Sequence, residues 1–153
     1  MLSIPENGWT TFGLKENKYQ LSHLTDVAND WVKQAIHGLE TLTPFTVHGF
    51  LEGWRMICTV SYWNTHIFVE DDENVELDIE KSNYEIVHIR MIDFCQMLYD
   101  DIKNNIDEWA KWGLDEEDDY LNANKQKLEV AFLKLKELID IQKDNFSENR
   151  CFC

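Results

Sequence analysis

Residues 45–60 read F-T-V-H-G-F-L-E-G-W-R-M-I-C-T-V, and this stretch decides the fold. Phe45, Val47 and Leu51 alternate with Thr46 and His48, and Trp54, Met56, Cys58 and Val60 alternate with Arg55, Ile57 and Thr59. A period of two puts each apolar set on one face of an extended chain, and Glu52-Gly53 between them reads as a tight turn. The segment is therefore a β-hairpin with one buried face.

Working outward, the same period continues to Arg90. Ile67 and Val69, then Val75, Leu77 and Ile79, then Val87 and Ile89 follow, with breaks at Trp63-Asn64 and Asp71–Asn74. Breaks spaced about ten residues apart predict an antiparallel meander of four to five strands. Upstream, W-T-T-F-G-L at 9–14 reads as a short first strand. Then Leu24, Val27, Ala28, Trp31, Val32, Ala35, Ile36 and Leu39 form the ladder of an amphipathic helix. Ser22 or Thr25 can cap it, Asp26 suits its positive end, and Gly38 helps to stop it.

Downstream, Asp93 reads as an N-cap with Gln96 completing a capping box. Phe94, Leu98, Ile102, Ile106 and Trp109 give that helix an apolar stripe, ended by Gly113. A last helix over about 118–142 buries Leu121, Leu128, Ala131, Phe132, Leu135, Leu138 and Ile139. The expected architecture is α+β. An antiparallel meander is covered on one face by one N-terminal and two C-terminal helices. The 153 residues fit a single domain, with 145–153 expected as a frayed tail.

Hydrophobic residues make up 44% of the chain and aromatics 12%, so the acidity is that of a folded protein and not of a disordered tail. No apolar run approaches the roughly 18 residues of a membrane span, and M-L-S-I-P-E-N-G-W has no basic-then-apolar leader. Cys58, Cys95, Cys151 and Cys153 form no disulfide-framework spacing, which favours reduced thiols and a cytoplasmic setting.

The net charge is −15, and residues 70–119 hold 18 acids against Lys81, Arg90, Lys103 and Lys111. That segment therefore carries −14. Such a field disfavours nucleic acid and anionic membrane as partners and favours a basic protein, by long-range steering.

The run W-G-L-D-E-E-D-D-Y at 112–120 places five carboxylates side by side. It lacks the spacing of a calcium loop, and adjacent side chains diverge, so no metal is assigned to it. Asp118 and Asp119 suit the start of the last helix. His48, His66 and His88 fall on three expected strands and Cys58 on a fourth, which would form a zinc set only if the register brought them together. No nucleophile elbow, P-loop or dinucleotide fingerprint occurs. Cys95 is the one cysteine placed near a helix start, but its acidic surroundings and apolar neighbours disfavour a reactive thiolate. No cofactor is implied and no catalysis is expected.

Trp63 and Trp112 fall at turns among acids, as exposed anchors of a protein-binding hot spot would. The expected partner surface therefore comprises Asp71, Asp72, Glu73, Asp115, Glu116 and Glu117, with Trp63 or Trp112 as anchor.

The segments N-G-W-T-T-F at 7–12, Y-Q-L-S-H-L-T-D-V-A-N-D-W-V at 19–32 and D-D-I-K-N-N-I-D-E-W-A-K-W-G at 100–113 flank the β-rich middle. In this pattern the chain resembles the small acidic bacterial immunity-type proteins of polymorphic and contact-dependent toxin systems. The resemblance implies a cytoplasmic α+β protein that inhibits by occluding a toxin, and it assigns no individual residue a role. Two alternatives stand beside it: a structural or regulatory interaction protein forming homo-oligomers, and an enzyme whose site has no recognisable motif.

Overall fold

The computed structural model describes residues 1–71, 83–113 and 118–148. Its elements are β1 (Trp9–Gly13), β2 (Lys18–Ser22), α1 (Val27–Thr41), β3 (Phe45–Leu51) and β4 (Trp54–Val60). They continue as β5 (Thr65–Asp71), β6 (Asn83–Val87), α2 (Met91–Lys103), α3 (Ile106–Ala110) and α4 (Asp118–Glu148). The four strands β3, β4, β5 and β6 pair in chain order as an antiparallel meander, and β1 pairs with β2 as a separate hairpin. The α+β class and the meander are as the period of two dictates. The strand expected at Val75–Ile79 lies outside the described residues.

Register turns that period into two faces. Phe45, Val47 and Gly49 stand opposite Val60, Cys58 and Met56. Met56, Cys58 and Val60 in turn stand opposite Val69, Ile67 and Thr65. All of these residues are buried. The β1–β2 hairpin and α1 cover this face at two close approaches. A Cβ on Gly49 would come within 2.8 Å of the Leu21 side chain, and one on Gly38 would collide with the Phe45 ring. Gly38 thus lets α1 lie down on β3; it does not stop the helix, which runs on to Thr41 and ends at Leu42 with φ 53°.

The cap of α1 is Asp26, whose carboxylate accepts from the Asn29 backbone N–H at 3.2 Å. Because the helix starts at Val27, Leu24 falls outside the ladder expected for it and stays exposed. Trp31 is sunk in the core against Phe12 and Phe94 while its Nε1 donates to the His48 carbonyl at 2.9 Å. Full burial of one such aromatic side chain contributes about 1.5–3 kcal/mol.

The second expected helix is two. It begins at Met91 with Arg90 as N-cap residue, and Asp93 in the first turn takes a bidentate bond from Arg90 at 2.6 and 2.8 Å. Gln96 donates to Asp100 and forms no capping box. The helix breaks at Asn104-Asn105, where the Asn105 side chain donates back to the Asp101 carbonyl at 3.0 Å. Asparagine competes with the helix by such bonds. The break re-aims α3, so that Trp109 enters the core beside Trp112, ring centroids 5.3 Å apart. The last helix continues to Glu148, past the end expected near residue 142, so the expected tail is helical over 145–148.

Candidate functional site

The second face of the meander is built from the other half of each strand. Its central row is His48, Ile57, Phe68 and Tyr84, each directly opposite the next. Beside it runs the row Thr46, Thr59, His66 and Ile86, and on the other side Phe50, Arg55 and Glu70. Tyr84 and Ile86 are 54% and 45% exposed, and Ile57 and Phe68 are half-buried. His66 Nδ1 and the Tyr84 hydroxyl share a hydrogen bond of 2.6 Å, and Arg55 is paired with Glu70. His88 bonds Asn64 at 2.7 Å.

This register answers the zinc question. His48 lies level with Phe68 and His66 lies level with Thr46, two strands and two residues apart. That separation is roughly 12 Å, too far for one zinc ion, and Cys58 lies on the opposite, buried face. Burial also pushes the thiols of Cys58 and Cys95 up, the reverse of what a nucleophile requires.

The acids expected to bind a partner are placed as follows. Asp71 ends β5, opposite Trp54 and beside the β3–β4 turn. Asp72, Glu73, Asp115, Glu116 and Glu117 lie outside the described residues. The flanks of both acidic segments, however, approach the same end of the molecule. The helix α1 runs antiparallel to β3, with Gly38 at Phe45 and Trp31 at His48, so its N-terminus lies at the Leu51 end of the sheet. There Trp112 Nε1 donates to the Thr25 carbonyl at 2.7 Å.

That bond corrects the reading of Trp112. It is 6% exposed, packed on Trp109, and serves the core as a hydrogen-bonded wedge between the α3–α4 turn and the entry to α1. A turn position did not expose it, because the turn folds back onto α1. Trp63 is exposed, as expected, and packs edge-on against Tyr62 with centroids 4.8 Å apart. It sits at the β4–β5 turn, however, at the opposite end of β5 from Asp71. Seven residues of strand separate the ends by roughly 20 Å. Trp63 and Asp71 thus lie at opposite ends of β5 and do not form one tight cluster.

Sequence reasoning missed the row that lies between them. The signal was present, since Ile57, Phe68 and Ile86 are apolar residues out of phase with the buried set. Only strand register shows that they are neighbours.

Two further features bear on chemistry. An open cleft of about 480 Å³ lies where α1 and α4 begin, lined by His23, Leu24, Asp26, Trp112, Tyr120 and Lys127 among others. Its one described carboxylate, Asp26, is taken up by Asn29. On the buried side of the sheet, the Tyr19 hydroxyl donates to Glu85 at 3.4 Å. Burial first, and then the Glu85 charge and hydrogen bond, push Tyr19 up to about 12. Among the described residues no group of His, Cys, Asp and Glu is disposed to hold a metal ion, and no helix is long and apolar enough to cross a membrane.

No family model, curated protein or solved structure matches this chain in sequence or fold comparison.

Proposed function

We propose that this chain is an acidic protein-binding module of the immunity type, which inhibits a basic protein such as a toxin domain by occluding it. The observation that carries the reading is the charge distribution: residues 70–119 hold −14 of a total of −15. A protein that only needs solubility has no reason to concentrate its charge. A protein that must find a cationic partner quickly does, because a one-signed surface raises the association rate while close contacts slow release. Among the described residues, Cys58 and Cys95 are buried and Asp26, the carboxylate of the cleft, is engaged as the cap of α1. Cytoplasmic residence and a bacterial source accompany the immunity reading.

The test is a pull-down with the product of the adjacent gene. Binding that is lost on charge reversal at Asp71, Asp72, Glu73, Asp115, Glu116 and Glu117, and weakened by salt, supports the reading. Absence of binding, or binding indifferent to both, removes it.

A second reading, a homo-oligomeric interaction protein, draws on α4. Val130 and Leu133 lie one turn apart on this helix and are 64% and 76% exposed. Light scattering decides it: a mass above that of one chain, reduced by Leu133→Asp, would favour oligomerisation.

A further inference from the structure

We propose that the outer face of the β3–β6 sheet is the docking surface for a cationic protein, which seats on the row His48, Ile57, Phe68 and Tyr84, with Ile86 beside it. The proposal rests on the reading of this chain as a binder of a basic partner, and it says where that partner sits.

An antiparallel sheet with one face toward water ordinarily shows polar residues there. Here the middle of the face is apolar and aromatic across three adjoining strands, with Tyr84 and Ile86 about half exposed. Four strands of five to seven residues make a patch roughly 20 Å on each side, the size of the centre of a standard protein interface. Hot spots concentrate at such centres, in aromatic residues ringed by polar ones. The threonines, His66 and the Arg55–Glu70 pair supply that ring.

Charge selects the occupant. Between Lys33 and Lys81 the chain has one basic residue, Arg55, and Glu70 neutralises it. Arg90, just past β6, is held by Asp93. The face therefore presents no uncompensated cation from its described strands, and the β3–β4 turn at one end carries Glu52. A cationic protein can lay its charged groups along that end and an apolar side chain on the central row.

The same argument removes other occupants. A second copy of this chain brings another −15, and nucleic acid or anionic lipid brings the same sign.

The experiment measures binding of the polypeptide encoded by the adjacent gene to variants that leave the net charge unchanged. Tyr84→Ala and Ile86→Ser change the sheet face at exposed positions, and Leu133→Ser changes α4; each unfolding midpoint is measured to confirm an intact fold. The expected result is a Kd raised about ten-fold or more by Tyr84→Ala, and changed by less than about two-fold by Leu133→Ser. If the sheet variants bind as the wild type does while charge reversal at Asp115, Glu116 and Glu117 abolishes binding, the docking face is overturned and the basic-partner reading stands. If the wild type does not bind, both fall. If light scattering shows a dimer that Tyr84→Ala dissociates, the face belongs to a second copy and the proposal is wrong.

Discussion

At the scale of the residue, single atoms decide where elements can lie. Gly38 shows this best. Replacing glycine by alanine inside a helix contributes about 1 kcal/mol of helix propensity, but the added methyl here would enter the Phe45 ring. Overpacking costs about 1–3 kcal/mol, and a methyl placed inside the ring contour sits at the upper end, so Gly38→Ala should lower the unfolding free energy by up to about 2 kcal/mol. Urea unfolding checks this, and a stabilised variant would show that α1 does not approach β3 as described. The sequence could not reveal it: Gly38 near the end of an apolar ladder reads as a stop, and its role depends on a ring seven residues away. Tyr19 makes a second case. Its hydroxyl faces Glu85 in the folded protein, where burial and the carboxylate raise it to about 12 from an ordinary 10.0. The raised value means that the neutral phenol is favoured by folding. Its contribution is complete below pH 10 and is lost as the pH rises from 10 toward 12. Relative to Tyr19→Phe, the wild type should lose up to about 2 kcal/mol between pH 9 and pH 12. Parallel pH profiles of the two proteins would refute the Tyr19–Glu85 placement.

At the scale of the element, strong periodicity was legible and boundaries were set by side-chain chemistry that periodicity does not contain. The strands around Glu52-Gly53 could be read because alternation and turn agree. The strand β2 was missed, since only Tyr19 and Leu21 mark its buried side and five residues give a short signal. The helix expected through Gly113 split, because two asparagines at 104 and 105 offer the backbone other bonds. At the start of α1 several residues could cap, and the structure selects Asp26. Its carboxylate also takes the Asn29 side chain, which donates in turn to Asn124 on α4 at 3.0 Å. Asp26→Ala should therefore cost about 1 kcal/mol from the lost cap, and the α1–α4 link should loosen with it. Amide exchange should quicken first at the start of α1; equal exchange in variant and wild type would assign the cap elsewhere.

At the scale of the whole molecule, charge was fully legible and geometry was not. The −14 of residues 70–119 is a count, but whether its parts share a side depends on register and on the direction of α1. Asp71 and the Trp112–Gly113 turn prove to approach the same end of the sheet. Trp63 lies at the other end, and Trp112 serves the core. Between these two ends of β5 runs the outer sheet face, whose apolar residues were individually visible as out-of-phase positions. Steering by such a field makes a specific kinetic demand, because screening acts on the approach of two charged bodies far more than on packed apolar contacts. The decisive measurement is the association and dissociation rate of this chain with the product of the adjacent gene, between 50 and 500 mM salt. An association rate that falls about ten-fold or more while the dissociation rate changes little would agree with an acidic module that captures a basic protein. An association rate independent of salt, or no complex at any salt, would contradict it.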